Sequence, residues 1–153
     1  EPLFQWVGPF VSSQNRFYTL KGSPLKINSL ADARQHKLVM PRLWYSVQYL
    51  QSQGFDDIYT VTSPEIMMNM FRNGRSDLLA ASDVTLPNVL ALADLTPADV
   101  IPQFSFMEHS SYLVFSPATN PQVALRWQRA FEQLRRDGTV ARLQSRWLGH
   151  IKP

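Results

Sequence analysis

Residues 57–83 read DIYTVTSPEIMMNMFRNGRSDLLAASD. Asp57 to Val61 has the β-branched and aromatic content of a strand. Ser63-Pro64-Glu65 then supplies an N-cap, a first-turn proline and a first-turn acid, which together open a helix. Ile66, Met67, Met70 and Phe71 recur at helical spacing and give it an apolar face, and Asn73-Gly74 ends it. Leu78 to Ala81 is a short apolar run, the mark of a strand covered on both faces. Strand, helix and strand in succession are the alternation of an α/β layer.

Working outward, the same alternation continues. Before this stretch, Ser29 caps a short helix with Asp32 three residues on. Lys37 to Met40 reads as a strand stopped by Pro41, and a helix runs from about Tyr45 to Gln53 with Gly54 as its stop. After it, residues 84–93 read as a helix and Ser111 to Phe115 as a strand. Two amphipathic helices close the chain. Val123, Trp127, Ala130, Phe131 and Leu134 form the stripe of the first; Val140, Leu143, Trp147 and Leu148 form that of the second. At the start, residues 3–7 read as a strand stopped by Gly8-Pro9, Ser12 to Asn15 as a polar turn, and Phe17 to Leu20 as another strand. The expected fold is α/β with a mostly parallel sheet. Ligands of such sheets bind beyond the carboxyl ends of the strands, beside helix N-termini. Pro41 to Ser46, Ser63 to Glu65 and Ser82 to Thr85 are therefore the places for a site.

Composition narrows the function. The 153 residues are 44% hydrophobic and 18% charged, with eleven prolines, six glycines and no cysteine. Disulfides, thiolate metal sites and cysteine nucleophiles are excluded. No run of 18 apolar residues exists to span a membrane. The net charge of +3 sits on the closing helices, where Arg126, Arg129, Arg135, Arg136, Arg142 and Arg146 outnumber Glu132 and Asp137. It reads as a solvated helix face, so no nucleic-acid partner is expected. No phosphate-binding glycine loop, nucleophile elbow or zinc-protease motif occurs. His36, His109 and His150 lie far apart, and only the Glu108-His109 pair offers acid–base chemistry. No metal or cofactor is called for. Trp44-Tyr45 stands just past a strand at a helix mouth, where it either touches a ligand or is partly buried.

Residues 74–83 resemble a segment of the family 3 extracellular solute-binding proteins of bacterial ABC importers. The tail, Phe131 to Thr139 followed by Arg146-Trp147-Leu148-Gly149, resembles that family's closing helices, and the order of elements between agrees. The resemblance implies a two-lobed, type II periplasmic-binding-protein-like chain with one complete lobe and part of the other. Residues 1–17 would be a remnant of lobe 1, 18–116 lobe 2, and 117–153 the closing helices of lobe 1. It implies a non-enzymatic periplasmic protein that captures a small polar solute, an amino acid or a relative of one, and hands it to an ABC permease. A receptor's sensing domain and a dehydratase-like enzyme on the same fold are the alternatives. Asp83 matches the aspartate that holds a ligand ammonium in amino-acid-binding members; capping the next helix is the competing role for it. Arg42, Trp44, Tyr45, Ser46 and Ser63 are the further candidate ligand contacts. At 41–46 the family's small-residue loop is replaced, and Arg42 would meet an anion instead. The resemblance also implies chain ahead of Glu1. Phe4, Trp6, Trp127, Phe131 and Trp147 are then expected to lie exposed, and the fragment to self-associate as a dimer.

Overall fold

A computed structural model describes residues 3–149. Two strands of sixteen residues organise the chain: β1 (Gln5–Leu20) and β5 (Val100–Phe115). Between them come α1 (Leu30–Ala33), β2 (Leu38–Pro41), α2 (Tyr45–Ser52), β3 (Ile58–Val61), α3 (Pro64–Arg72), β4 (Leu79–Ser82) and α4 (Leu86–Ala91), then a single 3-10 turn at Pro97–Asp99. Helices α5 (Pro121–Arg136) and α6 (Thr139–Leu148) follow β5. No helix is long and apolar enough to cross a membrane among the described residues. The chain divides into two compact units, one of Gln14–Glu108 and one of the residues up to Ser13 and from His109 on. Both long strands pass from one unit into the other.

In the Gln14–Glu108 unit, β2 and β3 pair in parallel from Leu38↔Ile58 to Pro41↔Val61. A parallel bridge at Leu38↔Leu78 brings β2 beside the start of β4. β1 then pairs antiparallel with β4, from Asn15↔Ser82 to Tyr18↔Leu79, and lies between β4 and β5. The sheet is thus mixed, where the alternation of elements predicts a mostly parallel one. The antiparallel member is β1, whose place in the sheet no local pattern announces.

Alternate residues of these strands face opposite sides, and each side has its own core. Tyr18, Val39, Leu79 and Ala81 pack with Met67, Met68 and Phe71 of α3 and Val89 and Leu90 of α4. Phe17, Leu38, Met40, Leu78 and Ala80 pack with Val47 and Leu50 of α2, Phe55 and Phe106. Covered on both faces, β2 and β4 are continuous apolar runs, as the sequence indicates. Buried Ser76 ties the two together: its Oγ accepts from the Val39 N–H at 3.1 Å and donates to the Leu78 carbonyl at 2.8 Å.

Two differences from the sequence reading have clear causes. Gly8-Pro9 and Ser12 to Asn15 do not interrupt β1. Gly8 adopts φ +138°, open to glycine without strain, and its N–H is received by Gln128 Oε1 at 3.1 Å. Ser13 and Asn15 are buried polar residues of a strand; composition alone makes such a run look like a turn. β5 begins at Val100, not Ser111; it stands at the end of the sheet order, and an edge strand tolerates a proline such as Pro102.

In the other unit, Val7, Ala124 and Phe131 form a small core with Phe10, Phe115 and Val140 packed on it. Gln144 Nε2 donates to the Phe10 carbonyl at 2.8 Å and Gln5 Nε2 to the Thr119 carbonyl at 2.6 Å. The Asp137 carboxylate accepts the Thr139 N–H at 2.9 Å at the start of α6, which holds it below the usual carboxylate range. Phe4, Trp6, Trp127 and Trp147 are exposed as expected, whereas Phe131 is buried, its ring 4.3 Å from that of Phe10. Helix α6 buries no residue at all.

Candidate ligand-binding site

The carboxyl ends of β2, β3 and β4 lead into the N-termini of α2, α3 and α4 within the Gln14–Glu108 unit. Asp83 follows β4 directly. Its N–H donates to the Gln14 carbonyl at 3.0 Å, and its Oδ1 accepts the Gln14 N–H at 3.2 Å. The β1–β4 ladder is thereby extended by a side chain, and the carboxylate is pinned to the strand end. Asp83 does not cap α4: the N-cap is Thr85, with no side-chain cap bond. The capping role weighed for Asp83 falls away for that helix.

Trp44 is the N-cap residue of α2 and wedges between the two cores, touching both. Tyr45 is 54% exposed, and its hydroxyl accepts from Nδ2 of buried Asn15 at 2.8 Å. Asn15 sits across from Ser82 in the ladder, so Tyr45, Asn15, Ser82 and Asp83 are brought to one end of the sheet. Arg42 is exposed, with its N–H on the Val61 carbonyl at 2.9 Å. Ser46 is buried in the first turn of α2. Ser63 caps α3, its Oγ accepting the Ile66 N–H at 3.5 Å; its bond to the exposed Glu65 carboxyl holds that group below its ordinary value.

Sequence reasoning missed the strand β1 side of this site. Gln14, Asn15, Arg16 and Tyr18 all belong to it, and Ser105 and Glu108 reach it from β5. Arg16 Nη2 donates to Gln14 Oε1 at 2.6 Å, Ser105 Oγ to the same oxygen at 3.2 Å, and Gln14 Nε2 to Glu108 Oε1 at 2.8 Å. Glu108 and His109 are consecutive residues of extended β5, so their side chains point to opposite faces and form no dyad.

Burial pushes the Tyr18 phenol up to about 12, with the Asp83 charge adding and Arg16 opposing. The folded protein therefore keeps its proton where the unfolded chain loses one near 10. Stability from this group is complete below pH 10 and is lost as pH rises from about 10 to about 12, by roughly 2–3 kcal/mol. Tyr18→Phe is expected to flatten that part of the stability–pH curve in urea unfolding. An unchanged slope would show that Tyr18 titrates as it does in the unfolded chain.

A cleft of about 480 Å³ opens at the opposite end of the same strands, lined by Arg34, Lys37, Asp56, Tyr59 and Arg75 among others. Helices α2 and α3 end there. Cations beside helix C-termini answer the carbonyl ends of the helices, which accounts for Arg34 and Arg75 without a ligand. Groups of three or more histidine, cysteine, aspartate or glutamate residues that could hold a metal are absent among the described residues.

No protein-family model matches the chain, and no curated protein matches it in sequence. Solved structures do. The chain superposes on a probable amino-acid ABC transporter extracellular-binding protein from Bacillus subtilis with TM-score 0.78 at 14% identity, over 97% of this chain and 65% of that one. The fold is that of the solute-binding proteins of ABC importers. A mutant of ArgBP from T. maritima gives TM-score 0.75 at 9% identity, over 97% of this chain and 63% of that one. A histidine kinase sensor domain with similarity to periplasmic binding proteins gives 0.75 at 18% identity, over 99% and 66%. The chain thus spans about two thirds of the length of these three chains, which fits one lobe and part of a second.

Proposed function

We propose that this chain is part of a periplasmic solute-binding protein that captures a small polar solute, an amino acid or a related compound, for an ABC permease. The observation that carries the reading is Asp83: a carboxylate pinned at the end of β4, in a polar group with Asn15 and Tyr45, where an α/β sheet binds its ligands. A carboxylate so placed suits an ammonium group, and binding of this kind requires no chemistry. Asp83, Tyr45 and Trp44 are the contacts this reading favours, with Arg42, Ser46 and Ser63 as further ones. Glu108 is engaged with Gln14.

A thermal-shift screen of amino acids, polyamines and organic acids is the direct test. A ligand at a hundred times its Kd stabilises the folded state by about 2.7 kcal/mol, so a clear rise in Tm is expected for at least one class. A flat response across all three would end the reading. The likeness to a kinase sensor domain supports a second reading, in which the same capture feeds a receptor. The coding sequence after Pro153 decides between them: an output domain there favours the sensor.

The unit that holds α5 and α6 bears on the fragment's state. Trp127, Leu134, Leu143 and Trp147 are exposed, and Phe10, Phe131, Leu143 and Trp147 line an apolar groove of about 360 Å³. In our reading this surface drives two copies together. Arginines flank it on both helices, so like charges oppose the association and salt relieves them. Light scattering is expected to show dimer rising with protein concentration and with added salt, and Trp147→Ser to return the monomer. A monomer under all conditions would remove the proposal.

A further inference from the structure

In the unit that holds α5 and α6, β1 and β5 form a two-stranded ribbon. Its two edges differ. Along β1, helix side chains answer the main chain: Gln128 of α5 accepts the Gly8 N–H at 3.1 Å, and Gln144 of α6 donates to the Phe10 carbonyl at 2.8 Å. Covering an edge with helices keeps other strands off it. β5 ends the strand order, and no helix side chain bonds to the main chain of residues 110–115 among the described residues. Ser110-Ser111-Tyr112-Leu113-Val114-Phe115 contains no proline, glycine or charge, and Tyr112, Leu113 and Val114 are exposed. Edges left open in proteins are short, charged or interrupted by proline. β3, which ends the β2–β3 sheet, obeys that rule: it has four residues and follows Asp56-Asp57. The first half of β5 carries Pro102. Residues 110–115 have none of these devices.

We propose that the β5 edge from Ser110 to Phe115 pairs antiparallel with the same edge of a second copy of this chain. The inference rests on the reading that two copies associate through this unit, and it adds where they meet. Identical edges that run antiparallel are related by a two-fold axis, so the contact closes at two and does not grow. A register centred on Tyr112 sets Ser110 opposite Val114 and Ser111 opposite Leu113. No like charges then face each other, and aliphatic and aromatic side chains stand across the seam. The axis is perpendicular to the sheet, so the helices packed on Val7 and Phe115 in both copies lie on one face of a four-stranded sheet. Trp127 of α5 is exposed, with its ring 6.1 Å from that of Phe115, so apolar helix surface stands beside the joining edge. A lone two-stranded ribbon is marginal in water, whereas more strands with one covered face are stable. Six residues of edge fall short of the roughly 1,200 Å² that a stable interface buries. The ladder and the exposed helix stripes therefore act together.

The chain has no cysteine, so single cysteines report on the seam without background. Each residue from Ser110 to Val114 is replaced in turn by cysteine in the whole chain and oxidised at concentrations where light scattering shows dimer. Covalent dimer is expected to peak at Tyr112→Cys, where the two Cα atoms face each other within the about 4.4–6.8 Å that a disulfide spans, and to fall off on both sides. Tyr112→Lys sets like charges opposite each other and should weaken the dimer about fivefold, and mixing it with Tyr112→Glu should restore association. Hydrogen exchange of the unmodified protein needs no variant: the amides of residues 110–115 should exchange at least about tenfold more slowly in concentrated than in dilute protein. A dimer that cross-links nowhere in the strand, or whose exchange there matches that of the monomer, overturns the edge pairing while association through the helices stands. Exchange already slowed in the monomer assigns the edge to another occupant and overturns it too. A monomer at every concentration removes both readings.

Discussion

Phe17→Ala is expected to destabilise the protein by about 3–5 kcal/mol, the range for removing a buried aromatic ring. Phe17 is fully buried, and its ring lies 4.5 Å from that of Phe106 and 6.0 Å from that of Phe55. It therefore joins β1 to β5 and to the turn after α2, and its loss leaves a cavity under three elements at once. The urea midpoint should fall with little change in slope. Phe4→Ala, at a side chain 42% exposed, is the control and should cost less than about 1 kcal/mol. A loss below that level at Phe17 would mean that β1 does not form the centre of the sheet.

The second large effect concerns binding. Asp83→Asn keeps an oxygen to accept the Gln14 N–H and removes the charge. A hydrogen bond to a charged group contributes about 1.5–3 kcal/mol, so affinity for the solute found by the screen should drop between roughly 10-fold and 150-fold. Thermal stability of the unliganded protein should stay close to that of the parent. Asp83→Ala should lose the same affinity and also some stability, because the Gln14 N–H then has one acceptor fewer. Unchanged affinity in the asparagine variant would remove Asp83 from the site. Calorimetric titration of the three proteins side by side separates these outcomes.

Local signals in the sequence reached as far as local structure goes. Ser63-Pro64-Glu65 places the start of α3 correctly because capping, proline and the helix dipole act within one turn. Gly54 and Asn73-Gly74 mark the ends of α2 and α3 for the same reason, and Pro41 ends β2. The helix read at 84–93 is shorter, Leu86–Ala91. Both long strands were read only in part, since Gly8-Pro9, the polar run Ser12 to Asn15 and Pro102 look like punctuation until the partner strand is known. The candidate site divides along the same line. Asp83 and Trp44-Tyr45 stand at element ends and could be found there. Gln14 is 69 residues from Asp83 and 94 from Glu108, and no pattern within a window of the chain links residues so far apart. The exposed stripes of α5 and α6 were legible as apolar faces, but only the structure shows which of their residues find a core.

The ladder of β1 on β4 sets a reading frame. Phe17 lies in one core and Tyr18, the next residue, in the other, so consecutive residues of this strand serve opposite faces. One residue inserted between Asn15 and Phe17 would exchange those faces on one side of the insertion, and each core would receive the side chain that fits the other. Two residues inserted together would preserve both faces. Length variation at this point of the strand should therefore be tolerated in pairs.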